Sequence, residues 1–159
     1  MNLQALPEEA LKEILALTEA KNRLDLQERA YDHFMPFAHH VYENFIEGAH
    51  HRIIAEKLEA VARGECKRLI INMPPRHSKS EFASYLMPAW FLGRNPKLKI
   101  IQATHNTELA VRFGRKVRDL IDDPAYKEIF PETNLKEDNK GAGKWGTDKG
   151  AEYFAAGVG

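Results

Sequence analysis

An aliphatic run, Leu69-Ile-Ile-Asn-Met73, leads into the loop Pro74-Pro-Arg-His-Ser78 and then into Lys79-Ser80, where a helix-forming segment begins. Strand, tight loop, lysine, hydroxyl and helix in that order are the layout of a phosphate-binding loop of the Walker A kind. Its backbone N–H groups and lysine hold phosphates, and its hydroxyl reaches Mg²⁺. A chain carrying this feature is constrained to place a strand, a turn and a helix in immediate succession.

The match to G-x-x-x-x-G-K-[ST] is partial. Met73 and Ser78 occupy the two glycine positions. Position 78 calls for a backbone conformation that glycine reaches at least cost. Pro74 and Pro75 have no N–H to offer, so the donors left are those of His77, Ser78, Lys79 and Ser80. Arg76 adds a planar, forked cation suited to phosphate oxygens. On this reading Pro75, Arg76, His77, Ser78, Lys79, Ser80 and Glu81 form the nucleotide site. Lys79 pairs with the β and γ phosphates of ATP, and Ser80 binds Mg²⁺. The plainer reading is a strand-to-helix turn in which the serine only starts the helix.

Hydrophobic spacing supplies the rest of the order. Pro7 to about Leu24 reads as a helix with Leu11, Ile14, Leu15 and Thr18 on one stripe. A second stretch runs from Leu26 to Phe34 and is broken by Pro36. A helix from Ala49 to Arg63 turns Ile53, Ile54, Leu58 and Val61 inward and ends at Gly64. Lys67–Asn72 reads as a buried strand. Lys79–Leu92 reads as a helix with Phe82, Ala83, Leu86 and Trp90 inward and a kink at Pro88. Leu98–Ala103 reads as a second strand. A third major helix is capped by Asn106 or Thr107 and reaches about Asp122. Pro124–Phe130 reads as a short helix or turn, residues 134–144 as a mobile polar loop, and 144–147 and 152–156 as short strands. This order predicts an α/β fold: a parallel sheet with crossover helices, preceded by an N-terminal helical segment. Ligands in such sheets sit at the carboxyl ends of strands, where residues 73–80 fall.

Other chemistry is thinner. Asp122 and Asp123 follow Leu120-Ile121 and so imitate the acidic strand end that holds Mg²⁺ in ATPases. The helical spacing of Leu109, Phe113, Val117 and Leu120 makes them a solvated helix end instead. Phe37, Tyr42 and Phe45 could stack on adenine with His51 reading its edge, or simply be core. Arg112, Arg115 and Lys116 share one helix face, either a DNA backbone contact or a solvated face. The formal net charge is zero, so a nucleic-acid contact needs such a local patch. Among seven histidines the doublets 39–40 and 50–51 have poor spacing for a transition metal. The single cysteine, Cys66, rules out an intrachain disulfide. The N-terminal Met1-Asn-Leu-Gln reads as neither signal nor transit peptide, and no run is long and apolar enough to span a bilayer.

With these residues in view, the chain resembles the N-terminal part of the large terminase subunit of tailed bacteriophages. The resemblance covers roughly residues 45–159. It is carried by Leu58-Glu-Ala-Val-Ala-Arg-Gly-Glu65, by Arg68 to Glu81 with its proline-containing loop, by Ile101-Gln-Ala-Thr-His-Asn106 with Phe113-Gly-Arg115, and by Glu152-Tyr-Phe-Ala-Ala-Gly-Val-Gly159. What it implies is a DNA-packaging ATPase followed by a nuclease of the RNase H-like class. It implies Arg76 and Lys79 as the catalytic pair and Thr104, His105 and Asn106 as the motif coupling nucleotide to double-stranded DNA. It further implies a homo-oligomeric ring, portal protein and small terminase subunit as partners, and work in the host cytoplasm while docked on the prohead. The acidic Mg²⁺-binding strand and the nuclease fall outside these 159 residues, so residues 1–44 read as the helical segment and 45–159 as the first part of an incomplete P-loop NTPase domain. A helicase-like DNA translocase and a non-catalytic remnant or scaffold are the competing readings.

Overall fold

In the computed structural model, residues 7–158 are described, without the side chains of 138–140. Met1–Leu6 and Gly159, which figured in the sequence reading, lie outside the described residues. The helices are α1 (Glu8–Asp32), α2 (Phe34–Val41), α3 (Ala49–Ala62), α4 (Lys79–Glu81), α5 (Met87–Arg94), α6 (Thr107–Ile121) and α7 (Pro124–Ile129). The strands are β1 (Lys99–Thr104), β2 (Leu135–Lys140), β3 (Lys144–Thr147) and β4 (Glu152–Gly157). They form one four-stranded sheet in the order β1-β4-β3-β2. β1 and β4 are parallel, with Ile101 beside Phe154 and Ala103 beside Ala156. β3 runs antiparallel to both of its neighbours. The fold is therefore helices with a mixed sheet, and the expectation of a wholly parallel sheet is corrected: residues 134–144, read as a mobile loop, supply β2 and the turn into β3.

Two prolines behave differently from the sequence reading. α1 runs unbroken through Leu24 to Asp32, and Pro36 lies inside the first turn of α2, where a missing N–H breaks no intrahelical bond. Pro88 does not simply kink its helix. Phe82–Leu86 forms a π-turn in which the Met87 N–H reaches back to the Phe82 carbonyl. The extra residue shifts the register so that Pro88 falls in the first turn of α5, again where its missing donor costs little.

The core joins the N-terminal helices to the segment after the loop. Phe34, Phe37, Phe82 and Trp90 are all fully buried. The Phe34 ring meets Phe82 edge-on at 5.4 Å and Trp90 at 5.6 Å between centroids. The Trp90 indole N–H donates to the carbonyls of Ala30 and Tyr31, both at 3.1 Å, so the polar atom of this buried ring is satisfied. The expected stripe Leu11, Ile14, Leu15 on α1 is exposed instead, because that helix packs only through its C-terminal end, around Ala30. Ile53 likewise faces outward, while Ile54 and Leu58 are buried.

The largest departure concerns residues 67–72. They join no strand, and none of their backbone groups bonds to another backbone group among the described residues. Leu69, Ile71 and Met73 pack against the core, whereas Ile70 is 85% exposed. The segment has the period of two that a strand needs, but no neighbouring strand pairs with it, so the expectation of a buried strand is corrected.

On the other side of the molecule the β2–β3 hairpin is seated on α6. The Trp145 indole N–H donates to the Gly114 carbonyl at 3.0 Å, and the Trp145 ring lies nearly parallel to Tyr153 at 4.8 Å. A Cβ on Gly114 would come within 2.7 Å of the Ala142 carbonyl oxygen and 3.1 Å of the Tyr153 ring. Helix propensity alone makes Gly114→Ala stabilising by about 1 kcal/mol; the contact with a backbone oxygen reverses the sign. Urea unfolding is expected to show a loss of about 2 kcal/mol. A gain would mean that the hairpin turn does not press on α6.

Candidate phosphate-binding loop

The loop takes its shape from two residues in left-handed backbone conformation, Arg76 at φ +64° and Ser78 at φ +59°. Neither is glycine, and each such residue costs on the order of 1 kcal/mol or more. Position 78, where the sequence pattern calls for a glycine-type conformation, has it. Right-handed helix follows at once from Lys79. The first intrahelical bond is from the Phe82 N–H to the Ser78 carbonyl, at 2.9 Å. The N–H groups of Lys79, Ser80 and Glu81 therefore have no partner within the helix, and the Ser78 side chain makes no capping bond. Left-handed followed by right-handed backbone turns consecutive N–H groups toward one side, the geometry of an anion-binding nest.

Residues 73–81 line one hollow of about 430 Å³. Arg76 is exposed and Lys79 half-buried, and neither has a carboxylate partner among the described residues. Lys79 is thus a half-buried cation beside unpaired amides. His77 donates from Nδ1 to the Pro75 carbonyl at 2.8 Å, which fixes the ring; Nε2 has no hydrogen-bond partner among the described residues. The Ser80 hydroxyl belongs to the second helical residue and is exposed.

Behind the loop stands His51, 5% exposed. Its Nδ1 accepts the Gly48 N–H at 2.9 Å, so its proton is on Nε2, which donates to His50 Nε2 at 3.0 Å. The His51 ring stacks on Phe82 at 4.9 Å, and His50 meets His77 at 5.7 Å. Phe45 packs against both His51 and Phe82. Phe37 is fully buried, and Tyr42 stacks on Phe45 at 6.0 Å. The aromatic residues considered for adenine are therefore core and its rim: Phe37 has no free face, and both nitrogens of His51 are already bonded. No group of three or more His, Cys, Asp or Glu among the described residues could hold a metal ion.

The second set of residues lies at the end of β1. Thr104 donates its hydroxyl proton to the Asn106 carbonyl at 2.6 Å. Asn106 accepts the Leu109 N–H at 2.8 Å, which makes it the N-cap of α6, and its amide donates to His105 Nε2 at 3.1 Å. His105, Asn106 and Arg112 line a separate hollow of about 290 Å³. Gly157 lies against this corner, where a Cβ would meet the Thr107 N–H nitrogen at 2.4 Å. Arg112 and Arg115 are exposed and have no ion-pair partner among the described residues. Lys116, expected on the same face, is turned away: its ammonium donates to Glu81 at 2.7 Å and lies 4.5 Å over the Tyr85 ring. Asp122 ends α6 and Asp123 caps α7 by accepting the Ala125 N–H, so this pair is a helix junction, as its spacing indicated. Lys116 and Tyr85 are the neighbours of the loop that sequence reasoning missed. Thirty-five residues separate Lys116 from Glu81, and no local spacing encodes such a pair.

Burial, and the neighbouring His50, hold His51 below the usual imidazole range. The unfolded chain then binds the extra proton more readily, so this contribution to stability is present above about pH 6.5 and is lost as pH falls through the folded value. Urea midpoints are expected to decline from pH 7 to pH 5, and His51→Gln, which keeps an acceptor for Gly48 but does not titrate, should flatten that decline. An equally steep decline in the variant would contradict the assignment. The chain matches no family model, no curated protein and no solved structure.

Proposed function

We propose that residues 73–81 hold the phosphates of ATP and that the chain is the ATPase portion of a DNA-packaging motor related to the large terminase subunit of tailed bacteriophages. One observation carries this reading. A strained turn places the amides of Lys79, Ser80 and Glu81, which have no partner within the helix, next to two cations, Lys79 and Arg76, that have no carboxylate partner among the described residues. Left-handed strain at two non-glycine residues persists only where the surroundings enforce it, and such strain concentrates at functional sites. Amides at a helix start with a free lysine are built to take a polyanion.

The residues present fit a triphosphate well. Lys79 would pair with the β and γ oxygens, Arg76 would reach the γ-phosphate from the loop tip, and the N–H groups would take the remaining oxygens. For Mg²⁺ the fit is narrower. The side-chain oxygens of the loop that could reach it are the Ser80 and Ser78 hydroxyls, because Glu81 is held by Lys116. Mg²⁺ would neutralise charge on the phosphates when bound; it would arrive with the nucleotide, held mainly by phosphate oxygens. With no second carboxylate placed at the hollow, this chain is expected to bind Mg·ATP with little or no turnover. Titration with Mg·ATP should show saturable binding that Lys79→Ala weakens at least about tenfold, the scale of one charge-assisted phosphate contact. Equal binding by both proteins, or by neither, would remove the phosphate role and leave a scaffold reading.

The motor reading adds DNA. Arg112 and Arg115 of α6 are exposed cations with no ion-pair partner among the described residues, and the Thr104–Asn106 corner stands at the start of the same helix. No helix among the described residues is long and apolar enough to cross a membrane, which suits a protein working in the host cytoplasm and docking on the prohead through its ring, portal and small-subunit contacts. Binding to duplex DNA should weaken with salt. Replacing Arg112 and Arg115 by alanine should reduce the slope of log K against log salt by about 1.8. An unchanged slope would assign the contact to other residues.

A further inference from the structure

Glu81 stands where a helix ordinarily caps itself. Ser78-Lys-Ser-Glu81 has the S-x-x-E spacing of a capping box, in which the carboxylate of the third helical residue reaches back to the N-cap N–H. A carboxylate in the first turn also gains from the positive end of the helix dipole. Neither capping bond is made here. Glu81 Oε2 instead accepts from Lys116 Nζ of α6 at 2.7 Å. The ammonium is held over the Tyr85 ring at 4.5 Å, a cation–π contact that fixes its position. Tyr85 belongs to the π-turn that follows Glu81, so both the carboxylate and the ring that steer Lys116 come from the first two turns after the loop.

This placement matters for an anion site. Glu81 is the one carboxylate in residues 73–81, and it lines the same hollow as Arg76 and Lys79. Swung back onto its own helix start, it would take the Ser78 N–H, set a negative charge beside the amides of Lys79, Ser80 and Glu81, and cancel one of the two cations. Resting on the phosphate-loop reading, we propose that Lys116 is a positioning residue that draws Glu81 off the helix start and so keeps the anion site open. Lys116 touches no phosphate; it acts through Glu81. The pair is only partly buried, with side chains 41% and 29% exposed, so its contribution to stability is small. Its effect is on where one negative charge sits.

The test is titration of Mg·ATP into wild type, Lys79→Ala, Lys116→Ala, Glu81→Gln, the double variant Lys116→Ala/Glu81→Gln, and Lys116→Arg, with thermal melts of each. Lys116→Ala should weaken binding about tenfold at low salt, the order expected for one released charge near a polyanion. Glu81→Gln should bind at least as tightly as wild type, and the double variant should return to within about threefold of it. Lys116→Arg should stay close to wild type. A strut role predicts otherwise, because the double variant lacks the same ion pair and would stay as weak as Lys116→Ala. That outcome overturns the proposal, as does unchanged binding by Lys116→Ala or weakened binding by Glu81→Gln. If Lys79→Ala loses binding and Lys116→Ala does not, only the role of Lys116 falls. If wild type does not bind, or Lys79→Ala binds equally, the phosphate reading falls and this proposal with it.

Discussion

The geometry of the loop depends on Phe82. It is the first residue of the π-turn, one position beyond Glu81, and it is fully buried. Its ring is gripped by Phe34 at 5.4 Å, Phe45 at 5.5 Å and His51 at 4.9 Å. Full burial of a phenylalanine stabilises by roughly 1.5–3 kcal/mol, with about 0.5–1.5 kcal/mol more for a well-set aromatic pair. The two left-handed residues at 76 and 78 cost about 1–3 kcal/mol each. These magnitudes are comparable, so the anchor can hold the turn only if it is attached closely. Ser78 and Phe82 are joined by the first hydrogen bond of the helix, which transmits the anchor to the turn.

The sequence is legible where local chemistry decides. Asn106 and Asp123 cap their helices because a short polar side chain next to a helical run has few better options. Asp122 and Asp123 resolve as a helix junction because the period of the preceding residues is helical. The demand for a glycine-type conformation at Ser78 follows from the lysine that comes after it. These cases need only a few consecutive residues.

What could not be read depends on partners distant in the chain. Leu11, Ile14 and Leu15 make a plausible inward stripe, yet which stripe faces inward is fixed by where α1 meets the core, and it meets it at Ala30 and Trp90. Residues 67–72 carry the aliphatic residues of a buried strand, but pairing needs a neighbour and none among the described residues pairs with them. β2, in contrast, is polar enough to pass for a loop; the seat of its hairpin on Gly114, not its own composition, makes it a strand. Pro88 was legible as a disturbance, but the response, a π-turn rather than a bend, depends on keeping Phe82 and Trp90 buried together.

The same reasoning explains why the loop is open on one side. A phosphate loop at the end of a paired strand is braced from its N-terminal side by sheet hydrogen bonds. Here residues 67–72 make no such bonds among the described residues, and Leu69, Ile71 and Met73 pack the segment against the core. The brace on the C-terminal side is stronger: Phe82 in its aromatic seat, and the π-turn. The mechanical stiffness of the loop therefore lies after Lys79, in the half that carries the unpaired amides. An anion bound there would find its donors already oriented, while Pro74 and Pro75 limit the backbone freedom of the looser half by fixing φ. The amides of the loop are kept in place by a helix whose π-turn begins at the buried Phe82, and the charge beside them is set by a lysine on another element.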